Sequence, residues 1–119
     1  MPSFHEQDDG RTVETGVGEE FAIGLPENPT AGFRWRLARD GGPVCALRDE
    51  VFDPGRQAPG QPGMHYWRFQ VAAAGVAAIE LAYRRAWESV PGAARTFVLH
   101  VTAKEERAAK PASAARDAE

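Results

Sequence analysis

The chain has 119 residues, 43% of them hydrophobic and 26% charged, with a formal net charge of −3, the proportions of one ordinary globular domain. Mean hydropathy is −0.44, and no apolar run approaches the roughly 18 residues a membrane-spanning helix needs. The 14 Lys and Arg are dispersed and give no basic stretch interleaved with aromatics, so neither nucleic acid nor a membrane is expected as a partner.

Residues 1–10 are polar and are expected to form a flexible lead-in. They lack a basic segment followed by an apolar core, so they do not read as a secretory signal. As it stands the sequence suits the cytoplasm; a leader lost from upstream would place the protein in the periplasm or outside the cell. A weak strand is expected at 11–15. From there the hydrophobic period is two. Phe21, Ile23 and Leu25 alternate with Glu20, Ala22 and Gly24, and Phe33, Trp35 and Leu37 alternate with Arg34, Arg36 and Ala38. A second weak strand is expected at 43–52, where the single cysteine, Cys45, lies in an apolar run and reads as a buried, inert thiol. Trp67, Phe69 and Val71 form one further alternating set, Ala77, Ile79, Leu81 and Tyr83 another, and Phe97, Leu99 and Val101 the last. Each pattern is that of a strand with one face buried. From 103 onward the tail is Ala-rich and charged, without aromatic or large aliphatic residues, and is expected to be disordered. The working domain is therefore 11–102.

Segments rich in Pro, Gly, Asn and Ser separate these runs at 26–32, 40–43, 53–63, 72–75 and 89–92. Short strands punctuated in this way predict an all-β sandwich or barrel of antiparallel strands. Trp35, Phe69, Leu81 and Leu99 are assigned to its core.

No constellation for catalysis emerges. His5, His65 and His100 have no ligand-like spacing to one another or to Cys45, so no metal is expected. Both His65 and His100 are read as solvent-facing or hydrogen-bonded. Ser3, Ser89 and Ser113 lack a nucleophile-elbow setting. Neighbouring acidic pairs such as Glu19 and Glu20, or Asp49 and Glu50, point to opposite faces of a strand and do not share a site. The glycines fit neither a phosphate-binding loop nor a dinucleotide fingerprint, and Pro29 rules out glycosylation at Asn28. The chain is read as a non-enzyme that needs no cofactor.

Three loops stand out. The first, Leu25-Pro26-Glu27-Asn28-Pro29-Thr30-Ala31-Gly32-Phe33, holds two prolines that fix φ and a glycine free to adopt positive φ. It is either an ordinary Pro/Gly turn or a stiff, projecting loop with a hydroxyl near its tip. The second, Ala58-Pro59-Gly60-Gln61-Pro62-Gly63, is either a flexible surface loop or a place where another backbone comes close. The third, Arg84-Arg85-Ala86-Trp87-Glu88, follows a strand; Trp87 either caps the core or serves in recognition, where Trp and Arg dominate.

Taken in order, these loops resemble those of the chagasin family of cysteine-protease inhibitors. That family carries an Asn-Pro-Thr-Thr-Gly-aromatic loop, a Gly-x-Gly-Gly loop and an Arg-Pro-Trp loop on an immunoglobulin-like β-sandwich. Asn28, Pro29, Thr30, Gly32 and Phe33 match the first, with Ala31 in place of the second threonine. Gly60 and Gly63 match the second, with Pro62 where glycine is usual, and Gln61 lies between the matched positions. Arg85 and Trp87 match the third, with Ala86 in place of proline. The resemblance implies an immunoglobulin-like sandwich of about seven strands that inhibits papain-like cysteine proteases reversibly, with a monomer as the free form. It implies a three-loop wedge occupying the active-site cleft: Thr30 near the catalytic cysteine and histidine, residues 60–63 along the unprimed side, and Trp87 with Arg85 on the primed side. The competing expectation is a generic immunoglobulin-like binding or adhesion module. Loop variants that alter protease binding without altering the melting temperature would favour the first.

Overall fold

A strand with one apolar face is stable only when that face meets another. In the computed structural model, which describes residues 1–28, 32–55, 62–85 and 95–105, the alternating segments solve this by forming two facing four-stranded sheets. Among the described residues the strands are β1 (Ser3–Phe4), β2 (Thr12–Gly16), β3 (Glu20–Glu27), β4 (Phe33–Asp40), β5 (Cys45–Asp53), β6 (Gly63–Val71), β7 (Gly75–Arg85) and β8 (Arg95–Lys104), with one short 3-10 turn at Glu6–Asp8. One sheet has the order β1-β3-β6-β5, the other β2-β8-β7-β4.

Every alternating set turns its large residues inward. Ile23, Leu25, Phe69, Ile79, Leu81, Leu99 and Val101 are fully buried, and Trp35 and Trp67 nearly so. Cys45 is buried and free, as expected. Its thiol is pushed up to about 11, first by burial, which penalises the thiolate, and then by the negative charge of Asp40.

Three features depart from the sequence expectation. Residues 1–10, anticipated as a loose lead-in, carry β1, which pairs with β3 through Ser3–Ala22 and Phe4–Ile23. Phe4 is buried edge-on against Phe21, with centroids 5.9 Å apart. Its burial stabilises the fold by about 2 kcal/mol, enough to tether an otherwise polar segment. Asp8 then staples the turn by accepting the His5 N–H at 2.8 Å. That bond, with help from Arg11, holds its carboxyl below the ordinary aspartate range. Second, β1–β3 and β2–β8 pair in parallel, whereas the other pairings are antiparallel. A period of two records which face is buried and says nothing of a partner's direction. Third, β8 continues through Lys104, with Ala103 buried, so the packed domain extends past 102. Residues 106–119 of the tail lie outside the described residues.

Register decides which loops become neighbours. Glu27 opposes Gly63 across β3 and β6, Phe33 opposes Arg85 across β4 and β7, and Tyr83 opposes Arg95 across β7 and β8. The strands flanking all three candidate loops therefore terminate at the same end of the sandwich.

Candidate functional site

The base of the first loop is tied across the two sheets. β3 ends at Glu27 and β4 begins at Phe33, so the chain changes sheet between them. The Trp35 indole Nε1–H donates to the Pro26 carbonyl at 2.8 Å, and the Trp35 backbone N–H donates to Glu27 Oε1 at 2.9 Å. Gly32 has φ 83°, the left-handed region that costs an L side chain strain. Asn28, half-buried, directs its N–H at the Tyr83 hydroxyl over a long 3.4 Å. Pro29, Thr30 and Ala31 lie outside the described residues.

The second loop leaves β5 at Asp53 and rejoins at β6. Pro62 is exposed directly before that strand, and Gly63 is its buried first residue. A Cβ at Gly63 would meet the Asp53 carbonyl oxygen at 2.5 Å and the Pro54 Cα at 2.9 Å, so glycine is required there by close backbone approach. Gly60 and Gln61 lie outside the described residues.

At the third loop, Arg85 is the last residue of β7. Its side chain, together with Ala86 and Trp87, lies outside the described residues. The flanks are well defined. Tyr83 stacks on Phe33 with centroids 5.3 Å apart and 23° between planes, and meets Trp35 at 4.9 Å. The Arg95 guanidinium, at the start of β8, lies 5.7 Å from the Trp35 ring centroid and 5.9 Å from that of Tyr83, and pairs with Glu6. This ladder joins the exit of the first loop to both flanks of the third.

A second element is only partly legible in the sequence: of the two readings of His65, solvent-facing or hydrogen-bonded, the second holds, whereas its partner Glu27 is not singled out. Glu27 and His65 are both buried. His65 Nδ1 lies 2.9 Å from Glu27 Oε1, and Nε2 lies 2.7 Å from Glu50 Oε2. The ring stacks on Trp67, with centroids 4.0 Å apart and planes 7° apart. A signal was present. Extending the alternation Phe21, Ile23, Leu25 by one step turns Glu27 inward, and extending Phe69, Trp67 backward turns His65 inward. Among the described residues, no group of three or more His, Cys, Asp or Glu is arranged to hold a metal ion. What this end of the sandwich offers is a common support for the strand ends that flank three loops.

Comparison with known proteins agrees with that architecture. Residues 14–101 match the family described as chagasin family peptidase inhibitor I42. The sequence is 31% identical over 101 residues to chagasin of Trypanosoma cruzi, covering 79% of this chain and 90% of that protein. The fold is similar to the crystal structure of the cysteine protease inhibitor EhICP2 from Entamoeba histolytica, with a TM-score of 0.77 at 21% identity, over 87% of this chain and 95% of the other. It is also similar to the solution structure of amebosin, with a TM-score of 0.70 at 29% identity, over 86% and 96% of the two chains. The chain belongs to the chagasin family of peptidase inhibitors, and its activity is inhibition, not catalysis.

Proposed function

We propose that the protein inhibits papain-like cysteine proteases by filling the active-site cleft with residues 28–33, 60–63 and 85–87. The observation that carries this is the register: Glu27–Gly63, Phe33–Arg85 and Tyr83–Arg95 bring the bases of all three loops to one end of a two-sheet scaffold. Occlusion needs no acid, base or metal. It needs loops whose ordering cost was met on folding, since ordering on binding subtracts from affinity. The Phe33–Tyr83–Trp35 ladder and the Glu27 bonds supply that rigidity at the loop bases. In this arrangement Thr30 approaches the catalytic cysteine and histidine, residues 60–63 run along the unprimed side, and Trp87 packs on the primed side beside Arg85. Three such loops can supply the roughly 1,600 Å² of a standard protease–inhibitor interface. Pro62 has no N–H to offer the enzyme backbone, and Ala86 leaves the third loop less restricted than proline would. Both changes bear on affinity and selectivity without removing the mode.

Titration of papain or cathepsin L with the protein is expected to give stoichiometric, reversible inhibition. Trp87→Ala should weaken it by on the order of 2 kcal/mol, about 30-fold. No inhibition at micromolar protein overturns the proposal, and an unchanged constant for Trp87→Ala removes that residue from the interface.

A further inference from the structure

We propose that the buried Glu27–His65 pair sets the position of the first loop relative to the second. This rests on the loop-occlusion mechanism for its consequence, though not for its geometry. Glu27 directly precedes Asn28, and its inward direction follows from the β3 alternation. A carboxylate taken from water into an apolar interior is costly unless it is hydrogen-bonded, and an apolar residue would fill the same space without that cost. What the carboxylate adds is connection. Its Oε1 accepts the Trp35 N–H at 2.9 Å, from β4 just past the first loop and in the other sheet. The same oxygen accepts from His65 Nδ1 at 2.9 Å, from β6 just past the second loop. The far side of the imidazole reaches Glu50 Oε2 at 2.7 Å, on β5, which leads into the second loop. Trp67 stacks on the ring and Phe52 meets it edge-on at 6.1 Å, so its orientation is fixed.

All four strands that flank the two loops thus meet at one carboxylate oxygen and one imidazole ring. The strand ends that carry the first loop cannot shift against those that carry the second without breaking one of these bonds. The third loop is tied to the first by a separate device, the Tyr83 ladder. Glu27 and His65 are positioning residues: they act through the loops and need not touch the protease.

Two variants at Glu27 isolate the connection. Glu27→Gln keeps an oxygen able to accept both bonds, whereas Glu27→Leu fills similar volume with no acceptor. Against papain, with each variant shown to be folded at the assay temperature, Glu27→Gln should stay within about threefold of wild type and Glu27→Leu should weaken inhibition about tenfold or more. In double-mutant cycles the Glu27→Leu penalty should couple with Thr30→Ala in the first loop and add simply with Trp87→Ala in the third. A protease-free measurement covers the case in which papain is not a target. His65→Leu, a change on the second-loop side, should move the backbone amide resonances of Asn28 and Gly32, and Glu27→Leu should move that of Gly63. Resonances at 28 and 32 left in place by His65→Leu, or wild-type inhibition by Glu27→Leu, overturn the assignment. If those shifts occur but the wild-type protein does not inhibit, the occlusion proposal fails while the coupling stands.

Discussion

Gly63→Ala tests both the packing of the loop base and its consequence for binding. The added Cβ would lie 2.5 Å from the Asp53 carbonyl oxygen, 2.7 Å from Phe52 Cζ and 2.9 Å from the Pro54 Cα. Phe52 can rotate, but the other two are backbone. Restoring ordinary contact requires the end of β5 to withdraw until the closest separation grows from 2.5 to at least 3.4 Å. That withdrawal strains the Asp53–Met64 pairing, the last in the β5–β6 register. Overpacking of this kind costs about 1–3 kcal/mol. Alanine recovers about 0.4–1 kcal/mol by restricting the unfolded chain. The balance is a loss of about 1–2 kcal/mol, or about 5–10 °C in melting temperature for a domain of this size. Gly24→Ala is the matched comparison. Its Cβ would meet only side-chain atoms, the Tyr66 ring at 2.8 and 3.0 Å and His5 at 3.3 Å, and a displaced ring should hold the loss below about 1 kcal/mol. Thermal unfolding followed by circular dichroism ranks the two. Inhibition of papain by Gly63→Ala should weaken as well, by about tenfold, because Pro62 moves with the strand. Gly63→Ala melting at or above the wild-type temperature, or below Gly24→Ala in cost, would refute the account of this loop base.

Tyr83→Ala removes the stack on Phe33 and the contact with Trp35, each worth about 0.5–1.5 kcal/mol, and should cost about 2–3 kcal/mol in urea unfolding. Tyr83→Phe, losing only a hydroxyl that meets Asn28 at 3.4 Å, should cost under about 1 kcal/mol; equal losses would contradict the ladder. For Cys45, burial keeps the folded thiol protonated to about 11 against an ordinary value of 9.0. The unfolded chain therefore releases this proton first, and stability should fall as pH rises from about 9 to 11, by on the order of 2 kcal/mol. Cys45→Ala should flatten that stretch of the stability curve, and a disulfide reagent at pH 8 should label the wild-type thiol only as the protein unfolds. Rapid labelling of the folded protein would show the thiol to be accessible.

Much of the fold was legible because strands announce themselves through a period of two. Phe21, Ile23 and Leu25, or Phe97, Leu99 and Val101, each specify a buried face, and the Pro/Gly segments between such runs mark where the chain turns. Phe4 is not legible in the sequence because a two-residue strand has no period to detect. His65 is legible as a hydrogen-bonded residue, whereas the polarity of Glu27 hides its place in the alternation. The two links to the imidazole span 38 and 15 residues, separations no local pattern encodes.

The three loops themselves were visible in the chain as local chemistry: prolines, glycines, one hydroxyl and one tryptophan. By itself the amino-acid sequence determined the longer strands, their apolar inward faces, the irregular segments between them, and the resemblance that named the family. Tertiary structure alone decided that β1 and β2 join the sheets in parallel, that the bases of all three loops share one end, and that a single carboxylate binds two of them together. The physical reason is that alternation is a property of one strand, whereas direction, register and the meeting of Glu27 with Trp35 and His65 are properties of pairs, fixed only when the two sheets close on their core.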